Sequence, residues 1–180
     1  YEDEGGETRA QLGDLWIIGG KHRLLVGDCT DPANVARLMD GERAALVVTS
    51  PPYNQKLDTF KPSGMQKENP AFVQRMADAY EDSMPEDEYQ KQQIALLEMV
   101  KQFLTPNASV FYNHKIRYRD KRIVSPIEWL LRTSYAIRQE IIWDRGSSIT
   151  LNARMFIPAD ERIYWLRVGE DFVFNDTPDI

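Results

Sequence analysis

Residues 46–54 read Leu-Val-Val-Thr-Ser-Pro-Pro-Tyr-Asn, and the fold turns on how this stretch is read. The run ALVVTS (45–50) is almost continuously apolar or β-branched, the pattern of a strand buried on both faces. Pro51-Pro52 ends it, because neither proline can donate to a ladder and each has a fixed φ. The backbone therefore leaves the sheet along a stiff path, with a hydroxyl before the prolines and an aromatic ring after them. Open α/β sheets bind ligands just beyond the carboxyl ends of their strands. At such a place Ser50 Oγ and a backbone carbonyl are acceptors, and Tyr53 is a flat stacking surface. That set suits a planar ring bearing an amino group. It also suits a stiff strand-to-loop turn with a core tyrosine, and spacing alone leaves both readings open.

Outward from the motif, strand and helix patterns alternate. LWII (15–18) and RLLVGD (23–28) flank Gly19-Gly20 and predict a hairpin. Residues 31–40 predict a short helix with Pro32 near its first position. Residues 54–84 hold Pro62, Gly64 and Pro70 with weak periodicity, which predicts a long functional loop or a disordered segment, helical in part near 70–80. Residues 86–104 give the clearest helix, with acids at its front and apolar residues at helical spacing. Thr105-Pro106-Asn107 breaks it, and 108–113 read as a strand. A helix over 126–134 and strands over 138–144 and 161–169 complete the pattern, with Tyr164 and Trp165 pointing to opposite faces, one buried and one at the surface. Trp143 reads as a core residue. This order predicts an α/β sheet with a mostly parallel core.

The 180 residues suit one domain, and 42% hydrophobic with 28% charged residues is the composition of a globular protein. No apolar run reaches the length of about 20 residues that spans a bilayer. The start is acidic and polar rather than a secretory signal, so the expectation is a cytoplasmic protein without a membrane partner. Residues 1–11 read as a flexible acidic tether to something upstream, and 12–180 as the folded region. Cys29 is the only cysteine, and His22 and His114 are far apart, so no metal site is expected. The net charge of −6 argues against a surface that grips nucleic acid everywhere. Residues 115–122, KIRYRDKR, nevertheless gather five basic residues around one acid, which reads either as a solvated loop or as a phosphate contact.

Thr49-Ser50-Pro51-Pro52-Tyr53-Asn54 resembles the (S/N/D)-P-P-(Y/F) motif of the amino-group DNA methyltransferases, which make N4-methylcytosine or N6-methyladenine. HRLLVGDCTD (22–31) is similar to the strand and acidic turn that precede this motif in many of them. FLTPNASVFYNHK (103–115), RQEIIWDRG (138–146) and ADERIYWLRVG (159–169) resemble the segments that follow. The likeness covers roughly 15–170, and the order of segments makes it more specific than the four-residue motif alone.

The resemblance implies a partial Rossmann-like methyltransferase sheet, mostly parallel, with an N-terminal hairpin and an antiparallel strand near the C-terminus. It implies S-adenosyl-L-methionine as cofactor, with Asp28, Thr49 and Ser50 as cofactor-binding residues. It implies a base flipped out of double-stranded DNA. Tyr53 would stack on that base, while Ser50 Oγ and the Pro51 carbonyl accept from its amino group, with Pro52 completing the turn. Asn54, His114, Lys115, Arg117 and Arg119 are the candidate substrate contacts. Ordinary roles stand beside these: Asp28 as a turn or cap residue, Asn54 as a turn residue, His114 as a loop histidine.

One family feature is missing. The glycines stand at 5, 6, 13, 19, 20, 27, 41, 64, 146 and 169, and none lies in the F-x-G-x-G loop that holds the cofactor. In the permuted class called β, the catalytic half comes first and the recognition and cofactor halves follow. The chain has the order of that first half, so it is expected to be the catalytic N-terminal part of a longer polypeptide with domains upstream and downstream. It is then expected to expose an apolar sheet edge, to pair as a homodimer or cover that edge with its long loop, and not to methylate DNA alone. An amino-methyltransferase acting on RNA or on protein glutamine, and a non-catalytic DNA-binding or assembly module, are the competing readings.

Overall fold

The computed structural model describes residues 10–54, 83–119, 121–146 and 159–174. Residues 55–82 of the long loop read over 54–84, the helix near 70–80 within it, and nearly all of the tether lie outside them.

The chain opens with a hairpin, β1 (Leu15–Ile18) and β2 (His22–Leu25). Gly19 and Gly20 make its turn at φ of 60° and 72°, a region that glycine enters at little cost. Helix α1 (Pro32–Met39) starts on Asp31, whose carboxylate accepts from the Ala33 amide, with Pro32 in the first turn. Strand β3 (Ala44–Thr49) leads into the proline turn. Helix α2 (Glu86–Lys101) carries Glu86, Asp87 and Glu88 in its first turn. Then come β4 (Leu104–His114), a small hairpin of β5 (Arg117–Arg119) and β6 (Arg122–Val124), the short α3 (Ile127–Leu130), β7 (Ala136–Asp144) and β8 (Asp160–Arg167).

The main sheet has the order β3-β4-β8-β7. It is α/β, but the expectation of a mostly parallel sheet does not hold. Only β3–β4 is a parallel pairing, whereas β4–β8 and β8–β7 are antiparallel. The reason is one strand: β8 runs against both neighbours, while β3, β4 and β7 all point the same way.

A second correction concerns β3. Its apolar run predicted burial on both faces, yet Leu46 is 55% and Val48 74% exposed. Leu46 and Val48, two residues apart, share the sheet face that carries Phe111 and Trp165, and among the described residues that face is left open over β3, which is also the edge strand. A third concerns where the helix ends and the next strand begins: the helix read to 104 stops at Lys101, and the strand read over 108–113 starts earlier. Strand β4 already begins at Leu104, and the register slips between Ala44 and Leu46, where two β3 residues face the longer 104–109 segment. Pro106 sits in that irregularity, where a missing N–H costs no ladder bond. The Pro106 carbonyl comes so close to Gly169 that a Cβ there would lie 2.7 Å from it.

The core forms between α2 and one sheet face. Tyr89, Gln93 and Leu97 stand at helical spacing and point inward. They meet Val110, Tyr112, Tyr164 and Leu166, all 0% exposed. Gln93 is admitted because its Oε1 accepts from the Tyr112 hydroxyl at 2.8 Å. On the other face Trp165 stacks between Phe111 and Phe174, with Phe172 against its edge. Tyr164 and Trp165 are therefore both buried, one on each face, rather than one in and one out. Trp143, read as core, is 49% exposed on the outer strand β7.

Candidate active site at the carboxyl end of the sheet

Strand direction brings four chain segments to one end of the sheet. Thr49 pairs with Tyr112, His114 with Arg162, and Asp144 with Asp160. The ends of β3, β4 and β7 thus meet the start of β8, and the proline turn emerges there. Ser50 is exposed, Pro51 buried, Pro52 exposed, Tyr53 half-buried and Asn54 buried.

The turn is anchored from below. The Pro52 carbonyl accepts from the Tyr89 hydroxyl on α2 at 2.6 Å. Tyr89 Oη also lies 2.7 Å from His114 Nε2. His114 Nδ1 lies 2.7 Å from the Lys115 carbonyl, which can only accept, so Nδ1 carries the proton. His114 is 0% exposed, and burial pushes its pKa down to about 3. It is a neutral ring in the core, edge-on to Trp129 and 4.7 Å from the Tyr53 ring centroid. Asn54 takes φ of 54° and donates from Nδ2 to the Met84 carbonyl at 3.0 Å. That ties the chain after the motif to the start of α2.

The upper side of the turn is polar. Ser50 Oγ and Tyr53 Oη are 2.7 Å apart. Tyr53 Oη lies 3.4 Å from Glu161 Oε2, which also accepts from Asn113 Nδ2 at 3.1 Å. Arg145 Nη1 reaches Glu161 Oε1 at 2.7 Å. Burial foremost, with the Glu161 charge in the same direction, raises the Tyr53 hydroxyl above its ordinary range. The Lys115 ammonium sits 5.9 Å from the Tyr53 ring centroid.

The candidate residues do not all gather here. Ser50, Pro51, Pro52, Tyr53, Asn54, His114 and Lys115 do. Arg117 turns inward: its guanidinium forms two bonds of 2.7 Å to Glu86 and lies over the Tyr89 and Trp129 rings. Its place in the core leaves it no surface for a phosphate. Arg119 is half-buried on the β5–β6 hairpin, while Lys121 and Arg122 at the turn are exposed. Asp28 lies in the turn before α1, where Oδ1 accepts from the Thr30 amide at 2.8 Å and its hydroxyl at 2.7 Å. Those bonds hold the Asp28 carboxyl below the usual carboxylate range. Thr49 is the last residue of β3, half-buried. Among the described residues no cluster of His, Cys, Asp or Glu could hold a metal ion, and no helix is long and apolar enough to cross a membrane.

Tyr89, Asn113, Arg145 and Glu161 were not singled out from sequence. Tyr89 looks like one more apolar residue of an amphipathic helix. Glu161 did carry a signal: an acid at the front of a strand whose other residues are mostly apolar.

A family model described as DNA methylase matches residues 44–178. No curated protein matches. Among solved structures, PvuII DNA methyltransferase (cytosine-N4-specific) is similar at 15% identity and a TM-score of 0.51, covering 76% of this chain and 48% of its own. The complex of M1.HpyAVI with SAM is 13% identical with a TM-score of 0.45, covering 83% and 57%. A putative DNA modification methylase from Thermus thermophilus, complexed with S-adenosyl-L-methionine, is 16% identical with a TM-score of 0.48, covering 87% and 57%. The chain thus spans about half the length of the solved structures it matches.

Proposed function

This chain belongs to the DNA methylase family whose members act on N4 of cytosine or N6 of adenine, and from that membership we propose that it carries the catalytic segment of such a transferase. The observation that carries the reading is the Ser50-Pro51-Pro52-Tyr53 turn, held at the carboxyl end of β3 with its tyrosine beside three further strand ends.

The family's cofactor is S-adenosyl-L-methionine. Of its candidate residues, Thr49 and Ser50 offer hydroxyls at the end of β3, while Asp28, an acid suited to an amino or hydroxyl group, stands in the turn before α1 with Oδ1 taken by Thr30. No glycine-rich strand-to-helix loop occurs in the sequence, since Gly19-Gly20 joins two strands. When bound, the cofactor supplies an electrophilic methyl group. The chain's own part is positioning. Tyr53 presents a half-buried ring on which a flipped base stacks, worth about 1–3 kcal/mol. Ser50 Oγ and the Pro51 carbonyl accept from the exocyclic amino group, which leaves electron density on its nitrogen. Tyr89 holds the Pro52 carbonyl, so the two acceptors keep their spacing without reorganising. A serine ahead of the prolines leans toward cytosine N4. The exposed Lys121 and Arg122 supply phosphate contacts.

A labelled-methyl transfer assay on the full-length protein with duplex DNA tests this. Tyr53→Ala abolishes transfer while weak, salt-sensitive DNA binding persists. Undiminished transfer by Tyr53→Ala overturns the reading. If neither protein transfers a methyl group yet both bind DNA, the chain is a non-catalytic DNA-binding module, the reading favoured by the missing glycine loop.

A further inference from the structure

We propose that Glu161 is a positioning residue that sets the direction of a hydrogen-bond chain, Ser50 to Tyr53 to Glu161, and so turns Ser50 Oγ toward the substrate as an acceptor; this rests on the function proposed above. The geometry carries it. Glu161 is 9% exposed, and three side chains converge on its carboxylate: Arg145 at 2.7 Å, Asn113 at 3.1 Å and Tyr53 at 3.4 Å. Paired with Arg145, the carboxylate has no proton to give. The Tyr53 phenol must then be the donor in that contact. Its one proton points at Glu161, so in the 2.7 Å contact with Ser50 the phenol oxygen accepts.

The serine hydrogen is thereby directed at Tyr53, and both Ser50 lone pairs are left for the exposed side. A free serine hydroxyl could equally turn its proton outward and repel an incoming amino hydrogen. Glu161 removes that choice from a distance, through a residue that also offers the stacking ring. Asn113 and Arg145 are not spectators. They satisfy the remaining carboxylate positions and make the site costly for a neutral side chain, since a glutamine cannot present an acceptor oxygen to donors on both sides.

The test is a mutant cycle in the full-length protein, read by methyl transfer to DNA. Glu161→Gln lowers kcat about tenfold with the KM for DNA within about twofold, the pattern of a contact that matters in the transition state. Tyr53→Phe keeps the ring and deletes the link. In that background Glu161→Gln costs nothing further, because the chain is already cut. The same fold-loss in both backgrounds, or no loss in either, overturns the proposal. A second readout is independent of activity: NMR titration of the protein labelled at tyrosine Cζ. Glu161→Gln moves the Tyr53 phenol titration to lower pH, because a neighbouring negative charge is gone. An unmoved titration overturns the proposal. A wild-type protein that transfers no methyl group defeats the function reading instead, while the titration still decides the chain.

Discussion

The phenol of Tyr89 has one proton and two acceptors, the Pro52 carbonyl at 2.6 Å and His114 Nε2 at 2.7 Å. Both contacts lie beneath the proline turn, and His114 is fully buried there. Tyr89→Phe keeps the ring against Trp129 and under Arg117 but takes the hydroxyl from both acceptors. The expected cost is about 1–3 kcal/mol of stability, read as a lower urea midpoint at unchanged slope. A midpoint indistinguishable from wild type would mean the turn holds itself. His114 gives a pH signature. Its folded pKa of about 3 lies below the ordinary 6.5, so between these values the unfolded chain takes a proton that the folded chain refuses. That contribution to stability is complete above about pH 6.5 and falls as the pH drops toward 3, at up to about 1.4 kcal/mol per unit. Other groups add their own slopes, so the check is a difference. From pH 7 to pH 4, His114→Gln loses less stability than wild type, and parallel curves would refute a neutral buried ring.

Among the elements, the β5–β6 hairpin shows where sequence patterns stop being informative. KIRYRDKR reads as a charge run, and its helix and strand neighbours give no reason to fold it. In the structure it alternates: Arg117 points in, Tyr118 lies 66% exposed opposite Ile123, and Val124 points in. The inward arginine makes sense only with Glu86, 31 residues earlier on α2, and no local periodicity records that pairing. Two predictions separate the cations. Arg117→Ala takes the two-bond partner from the half-buried Glu86, leaving it the Gln90 amide, and costs about 1–3 kcal/mol in denaturant unfolding. Lys121→Gln and Arg122→Gln change stability by less than about 0.5 kcal/mol. Each instead reduces the slope of log K for DNA against log salt by about 0.9. If Arg117→Ala were neutral in stability and lowered that slope, the hairpin would be assigned wrongly. Other elements were legible because their signals are local. Asp31-Pro32 announces α1, the acidic first turn announces α2, and the strand edges of β7 and β8 fall within two residues of their apolar runs. The proline turn was legible for the same reason. Glu161 and Tyr89 were not, because each matters through a contact far away in the sequence, with Tyr53 and with Pro52 respectively. The open face of β3 was missed because an apolar run does not say what packs against it.

At the scale of the molecule, β3 stands at one edge of the sheet among the described residues, with Leu46 and Val48 turned to solvent. An apolar strand edge of this kind is a template for association. The 180-residue chain by itself is expected to bind a hydrophobic dye and to associate with rising concentration in light scattering, and Val48→Lys to suppress both. A monodisperse monomer without dye binding would contradict that. The fold places the proline turn and the side chains around it at the opposite end from the β3–β4 entry, on rigid strand ends. The central claim is that the Ser50-Pro51-Pro52-Tyr53 turn directs methyl transfer to a base amino group. Nucleoside mass spectrometry of DNA from cells expressing the full coding gene tests it most directly, with Ser50→Ala as the paired control. The account predicts N4-methylcytosine or N6-methyladenine with the wild-type gene and its loss with Ser50→Ala. Unmodified DNA from wild-type cells, or a modified base that survives Ser50→Ala, would contradict it.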